Sequence, residues 1–340
     1  MKPTKVGSPH KVLQYIFLLC VIFLGIISII GTGGGGGGGS APPPITYSGL
    51  TTQAEITDAN AELFAAGAFG AGRTGSSFSN IGAVEKSSDG DISSFRIFSI
   101  SQALKDAVLK VDLSSITSPP FIGASRIDTE DGPCGGTVSY SMQINESTGV
   151  FSGTFTFSSY CDSGVVISGS TTVSGTVDLG TSTIDDIDFH FTNLSDGSST
   201  LSGDLNMDLT VLTVFPVQVD FDTYLKDNST NTVYWAQDYV IKITEGVDGF
   251  GDSYLDVEID SGNYYEPDYG YVTITTPTPF RVFYGSDLWP REGFMVATGT
   301  GNTKVRLTAI SNTECQVDAD LNDDDIYDDW GPVTLNWENL

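Results

Sequence analysis

Positively charged residues are scarce in this sequence, and the shortage limits the partners the protein can have. The 340 residues include 15 Lys and Arg against 43 Asp and Glu, so the formal net charge is −28. Nucleic acids and anionic lipid headgroups are poor partners for such a chain, and we expect no nucleic-acid binding. Divalent cations match a surplus of carboxylates better.

Histidine is nearly absent, which leaves little for a catalytic base. His10 lies in the basic leader, and His190 follows Asp186 and Asp188 in the segment DDIDFHF. In a strand these three alternate residues share one face. They fit a catalytic or metal role, but a solvated strand face is the simpler interpretation. No GxSxG sequence occurs, so a serine-hydrolase elbow is not indicated and no catalytic residue is assigned.

Only one long apolar run is present, at residues 12–31, after a basic leader at residues 1–11. We interpret the run as a transmembrane anchor or a long signal peptide that is cut at the small residues 31–33. Lysines on its N-terminal side predict a cytoplasmic leader and an exported main part, in the periplasm or at the cell surface. The membrane is expected to contact the protein through this segment alone.

A Gly/Pro tether follows at residues 32–44, with seven consecutive glycines and three prolines. Glycine-rich chain is flexible and proline-rich chain is stiffer, so this segment is a spacer between the membrane and the folded part.

Residues 45–125 are predicted to form a short strand and helices that pack on a sheet. The first helix, TDANAELFAAGAFGAG, would be capped by Thr57 or Asp58 and stopped by its glycines. A second helix is predicted over residues 91–113. GAGRTG at residues 70–75 matches a dinucleotide-binding pattern, but it follows a helix instead of a strand, so we reject that function.

Residues 126–340 are predicted to form almost entirely strands, joined by short turns rich in Asp, Gly and Asn. About a dozen strands of regular length predict a long antiparallel meander, which must form a curved sheet, half-barrel, barrel or sandwich to avoid long edges. The fold class is therefore mainly β with a small N-terminal helical part.

Cys134 and Cys161 flank a predicted hairpin with the loop NESTG between two alternating runs. An unslipped hairpin centred between Ser147 and Thr148 would set the two cysteines opposite each other. Opposed residues in a sheet have Cβ atoms roughly 4.5 to 5.5 Å apart, close to the separation of a disulfide. The pattern predicts a disulfide, and two separate buried thiols are the alternative.

An aspartate-rich turn near the C-terminus is the best candidate metal site in the sequence. Its predicted ligands are Asp318, Asp320, Asn322, Asp324 and Asp328. Oxygen ligands at alternate positions of a tight loop can converge on Ca²⁺, which takes six to eight of them. However, Asp325 stands where a calcium loop normally has the glycine of its sharp turn. The sequence leaves two interpretations, a calcium site and a solvated acidic hairpin loop.

The third exported cysteine and a group of aromatic residues can each be interpreted from the sequence. Cys315 is the odd exported cysteine, and we expect it to be buried as a small hydrophobic residue. An aromatic-lined binding groove would use Tyr234, Trp235, Tyr264, Tyr265 and Trp289. The same aromatic residues would also suit the core of the sheet, and we prefer that interpretation.

Three stretches carry a resemblance to a known group of proteins. They are ITYSGLTTQAEITDANAE after the tether, CGG with FSGTFTFSSYCDSGVVISGS, and the C-terminal segment from VRLTAI to NWENL. They resemble segments of exported, lipoprotein-like β-rich envelope proteins of Gram-negative bacteria. The resemblance implies an envelope location and supplies no activity. Such relatives often carry a lipidation cysteine before the glycines, where this chain has Thr32 and Gly33.

Taken together, these features predict an exported envelope β protein that binds a ligand or has a structural role and is not an enzyme. A secreted polysaccharide hydrolase and an adhesion or surface component are the alternatives. A deep acidic cleft with two facing carboxylates would favour the hydrolase.

Overall fold

The computed structural model describes residues 43–79, 125–145, 147–162, 164–178, 183–208, 217–284 and 286–340. The predicted leader, the apolar run, nearly all of the tether and the predicted second helix lie outside these residues. Within the described ranges, no helix has both the length and the apolar character needed to cross a membrane.

In the part of the chain that the structure describes, fourteen strands form a single antiparallel sheet whose spatial order is the chain order. The strands are β1 Ser125–Asp131, β2 Thr137–Ile144, β3 Val150–Asp162, β4 Val165–Asp178, β5 Thr183–Ser195, β6 Ser199–Asp208, β7 Val217–Asp227, β8 Val233–Val247, β9 Ser253–Glu266, β10 Gly270–Phe283, β11 Glu292–Thr298, β12 Lys304–Ala309, β13 Glu314–Asp320 and β14 Trp330–Asn336. The predicted meander and the mainly β fold class are confirmed, and the sheet is open, with β1 and β14 at its edges.

Two strands are absent from the sequence-based prediction. β1, SRIDTED, is an edge strand with almost no apolar residues, so its sequence does not alternate. β11, EGFMVAT, buries three adjacent residues, Met295 to Ala297, and a run of that kind also lacks a period of two. Both segments become strands because they pair with a neighbouring strand of the sheet. Local sequence does not reveal such pairing.

The two faces of the sheet differ in polarity, as β7 illustrates. Val217, Val219, Phe221 and Leu225 are buried on one face. Gln218, Asp220, Asp222 and Tyr224 alternate with them and remain partly exposed on the other. This alternation is typical of an antiparallel sheet with one face against the core and one face toward water.

The helix α1, Ala61–Ser79, packs on the apolar face and contacts β7, β8, β9, β11, β12 and β13. It runs through the glycines that we expected to stop it. Gly67 lies against the ring of Tyr264, and Gly72 lies against Ile259. These glycines let the helix backbone approach β9 closely, so they serve packing and do not end the helix.

The predicted cap of α1 is also different in the structure. The helix begins after Asn60, whose side-chain oxygen accepts a hydrogen bond from the N–H of Thr57 at 2.8 Å. Thr57 contributes its backbone carbonyl, which accepts the N–H of Ala61 at 3.0 Å. Asn60 is buried, so it also anchors the start of the helix in the core.

Residues 43–56, which we call the N-terminal strap, do not form the short strand predicted there. Only one isolated bridge, between Gln53 and Tyr271, joins the described part of the strap to the sheet as β structure. GAGRTG lies inside α1, in agreement with its rejection as a dinucleotide site.

The predicted hairpin and its disulfide are confirmed. Thr137 pairs with Ser158, and Val138 pairs with Phe157, which is the register that places the two cysteines opposite each other. Cys134 and Cys161 form a disulfide with Cα atoms 5.1 Å apart. The bond closes the hairpin at the end opposite its NESTG loop.

Candidate functional site

The polar face of β4 to β8 carries a groove of about 540 Å³. Aspartates dominate its polar lining, together with one histidine, one asparagine and two hydroxyl residues. These residues are Thr172, Ser174, Asp188, His190, Asp204, Asn206, Asp220, Asp222 and Asp238. Among the described residues that line the groove, none is Lys or Arg, so its field is strongly negative.

Strand register brings these side chains together. His190 on β5 lies opposite Asp204 on β6, and Asp204 lies opposite Asp222 on β7. Asp188 lies opposite Asn206, which in turn lies opposite Asp220. Directly opposed side chains on one face of a sheet are in contact range. Two polar rows therefore run across the strands, although their members are far apart in sequence.

Most of the groove carboxylates are oriented by a neighbouring donor or partner. The Nδ1 atom of His190 lies 2.7 Å from Oδ1 of Asp204. Asn206 donates its amide to Asp188 at 2.6 Å. These contacts orient the carboxylates of Asp188 and Asp204 on one surface of the groove.

Asp222 is the most crowded of these carboxylates. Burial raises its pKa, the indole N–H of Trp235 opposes that rise, and the charges of Asp238 and Asp204 raise the pKa further. The Trp235 Nε1–H donates to Oδ1 of Asp222 at 2.6 Å. A positive group in the groove would relieve the repulsion among these three carboxylates.

Asp238 enters the groove through an irregularity in β8. Its φ is 52°, and the register of β8 against β9 shifts between Gln237 and Val240. A bulge of this kind redirects a side chain relative to the regular alternation of the strand. This bulge was not predictable from sequence, because nothing in AQDYV marks one.

The residues DDIDFHF divide between the groove and its surroundings. Asp188 and His190 line the groove, whereas Asp186 lies outside it and accepts a hydrogen bond from Thr176. The three residues share one strand face, as predicted. Sequence reasoning missed their partners on β6 to β8, because cross-strand neighbours are set by register.

The acidic turn after β13 is organised around Asp320. Its carboxylate accepts backbone N–H groups from Asn322 and Asp324, both at 3.3 Å, and from Asp325 at 3.0 Å. Burial acts to raise the pKa of Asp320, and these hydrogen bonds outweigh it and lower the pKa. Because these bonds lower its pKa, the turn is built on an ionised carboxylate, although Asp320 is fully buried.

Asp325 adopts the backbone conformation that the glycine of a calcium loop would have at this position. Its φ is 61°, which is the left-handed region that glycine adopts most readily and that Asp also tolerates. The replacement therefore does not prevent a sharp turn. The objection to a calcium loop that we drew from sequence does not apply to the backbone.

Lys304 on β12 lies opposite Asp320 on β13. Its ammonium group lies among the carboxylates of this turn. Its Nζ lies 2.5 Å from Asp325, 3.5 Å from Asp320 and 3.7 Å from Asp323. The lysine thus supplies part of the positive charge that we assigned to a cation.

The five predicted calcium ligands do not all converge. Asn322 accepts the N–H of Asp324 within the turn. Asp318 pairs with Arg306 instead. Asp328 is exposed, and its backbone N–H donates to the carbonyl of Ile326. Among the described residues, no group of three or more His, Cys, Asp or Glu side chains is arranged to hold a metal. Calcium binding at this turn stays a prediction.

The predicted aromatic groove residues pack against one another. The aromatic ladder is a row of four rings across β7 to β10, with centroids 5.4, 4.4 and 5.0 Å apart: Tyr224, Trp235, Tyr265 and Tyr271. Trp235 stacks on both Tyr224 and Tyr265, and Tyr271 is tilted against Tyr265. Tyr264 is buried on the opposite face and stacks with Tyr234, and Trp289 stacks on Trp337.

Cys315 is buried, as expected from sequence. Burial raises the pKa of its thiol to about 12, so the thiolate that reacts with oxidants and metals is disfavoured. Its role is packing within β13.

Comparisons with protein-family models, with curated proteins and with solved structures give no match to the chain. The fold and the groove define the protein as an open antiparallel β protein with an acidic polar face. The resemblance to envelope proteins remains a prediction.

Proposed function

We propose that this protein is a non-enzymatic, exported binding protein that takes up a cationic, amine-bearing ligand in the groove on β4 to β8. The observation that carries the proposal is the lining of the groove, which has five aspartates and neither Lys nor Arg among its described residues. Its volume of about 540 Å³ lies in the range of small-molecule sites. A bound ammonium group would pair with Asp204 and Asp222.

Electrostatics favour a positive ligand over a neutral one. Asp222, Asp204 and Asp238 face each other closely enough for the latter two to raise the pKa of the first. A ligand with several ammonium groups relieves that repulsion at several points. Neighbouring strands are roughly 4.8 Å apart, and a linear polyamine that lies across them would meet one carboxylate after another.

Calorimetric titration of the full chain with spermine tests the proposal. We expect binding that weakens as salt is raised, because exposed charges are screened. Asp204→Asn and Asp222→Asn should each weaken it about tenfold, as expected for a lost charge-assisted hydrogen bond. Asp252→Asn removes an equal charge in the exposed β8–β9 turn and should leave the affinity unchanged. Equal effects of all three variants, or no binding, would overturn the proposal.

The exported location rests on separate features. The sequence has a basic leader before a long apolar run, and the disulfide between Cys134 and Cys161 suits an oxidising compartment. We propose that the protein resides in the cell envelope, either anchored by residues 12–31 or released after cleavage. Mass spectrometry of the mature N-terminus distinguishes the two, and a reduced protein in the cytosolic fraction would contradict both.

Polysaccharide hydrolysis is the second candidate function. The observation that favours it is the pair Asp222 and Asp204, of which Asp222 has a raised pKa. Glycosidases need one carboxylic acid that keeps its proton and one ionised carboxylate. Release of reducing sugar from a polysaccharide panel, lost in Asp222→Asn, would select this function over binding alone.

A further inference from the structure

The N-terminal strap follows the tether directly and is bound along one end of the sheet. The carbonyl of Pro43 accepts the Asn193 amide of β5 at 3.0 Å. The N–H of Leu50 donates to the carbonyl of Pro267 at 3.0 Å. These contacts carry the strap from β5 to the β9–β10 turn, past the strands that form the groove.

Tyr47 is the point where the strap meets the aromatic ladder. Its ring centroid lies 5.8 Å from that of Trp235 and 5.6 Å from that of Tyr265. Its hydroxyl donates back to the carbonyl of Leu50 at 3.0 Å. The ring therefore supplies the contact with the sheet, and the hydroxyl serves the shape of the strap.

Trp235 connects this contact to the groove. The ring of Trp235 packs against Tyr47, while its Nε1–H holds Asp222 at 2.6 Å. Tyr47 is one of three aromatic neighbours of the indole, with Tyr224 and Tyr265. Displacement of Tyr47 therefore loosens the indole that holds the carboxylate of Asp222. Only one side chain separates the strap from a ligand-facing residue of the groove.

We propose that the strap and the groove are coupled through Tyr47, Trp235 and Asp222. Tyr47 and Trp235 are positioning residues, because they act on the ligand through the carboxylate of Asp222. A ligand that fixes Asp222 also fixes the indole and thereby strengthens docking of the strap. Coupling between two binding equilibria is reciprocal, so docking of the strap strengthens ligand binding by the same factor. This inference rests on the proposed binding function of the groove.

Two measurements on the full chain test the coupling with spermine as the probe. The first is hydrogen exchange at the Leu50 N–H, which reports docking of the strap through its bond to Pro267. We expect spermine to slow this exchange in the wild type and to have no effect in Trp235→Phe. The second is spermine affinity, which should fall in Trp235→Phe because Asp222 loses the donor that positions its carboxylate. It should also fall in Tyr47→Ala.

Tyr284→Ala is the control, since this exposed tyrosine follows β10 and lies outside the strap and the aromatic ladder. It should retain the wild-type affinity for spermine. If spermine binds the wild type but leaves Leu50 exchange unchanged, and Tyr47→Ala binds normally, the coupling is wrong and the binding function stands.

A ligand-free readout separates the two proposals when spermine does not bind. The indole N–H lowers the pKa of Asp222, so Trp235→Phe and Tyr47→Ala should both raise that pKa in a carboxyl titration followed by nuclear magnetic resonance. A pKa raised by Trp235→Phe alone would show that the strap does not position Asp222.

Discussion

Arg306 and Asp318 face each other on β12 and β13 and form two parallel hydrogen bonds. Nε donates to Oδ1 at 2.9 Å, and Nη2 donates to Oδ2 at 2.8 Å. The carboxylate of Asp318 is almost fully buried. This pair explains why Asp318, although in step with the acidic turn, is held away from it. Its alternation with the turn residues also follows from the periodicity of the strand.

Breaking this pair should be costly. Arg306→Leu should lower the free energy of unfolding by about 3 kcal/mol, because the buried carboxylate of Asp318 loses its partner. Urea unfolding measures the change. The pair Arg281 and Asp256, whose carboxylate is more exposed, is the control, and Arg281→Leu should cost less. Equal costs at the two sites would contradict the role of burial.

Lys304 should determine how the acidic turn responds to calcium. Lys304→Met leaves Asp320, Asp323 and Asp325 without its ammonium group, and we expect a loss of about 1 to 2 kcal/mol of stability. Calcium should restore more stability to this variant than to the wild type, because it replaces the missing charge. Thermal unfolding with calcium and with magnesium measures the effect. If calcium shifts neither protein, the predicted metal site is wrong.

Glycine in α1 should be required where the helix meets β9. Alanine usually stabilises a helix by about 1 kcal/mol relative to glycine. At Gly67 a Cβ would overlap the ring of Tyr264, so Gly67→Ala should destabilise by about 2 kcal/mol. Gly72→Ala is the matched control, because its Cβ meets the flexible end of Ile259. Thermal unfolding should show a much larger loss at Gly67.

Glu266 should make stability fall as pH rises. Burial raises the pKa of this carboxyl, which is nearly inaccessible to solvent. The folded state therefore binds more protons than the unfolded state between the unfolded pKa of about 4.3 and the folded value. Stability is greatest below that window and is lost as pH rises through it.

Glu266→Gln should remove this pH dependence. We expect the variant to be more stable than the wild type at pH 7, by about 1 kcal/mol, and to lose that advantage near pH 4. Urea unfolding across this range measures it. Glu258→Gln on the same strand is the control. A Glu266→Gln variant that is less stable at pH 7 would contradict the assignment.

The candidate site was only partly predictable from sequence. The single face shared by Asp188 and His190 follows from alternation along one strand. Their partners Asp204, Asp222 and Asp238 come from three other strands, and no sequence spacing reveals them. The aspartates of the turn were visible as a cluster, but the presence of Lys304 among them depends on the pairing of β12 with β13.

The sequence by itself determined the meander, the register of the hairpin and its disulfide, because local alternation and turn residues specify pairing between consecutive strands. Only the tertiary structure decided that the glycines of α1 pack against β9, that the strap reaches Trp235 and that five aspartates meet in one groove. The physical reason is that these contacts join segments distant along the chain. Their geometry is set by the accumulated register and twist of many strands, which no local pattern contains.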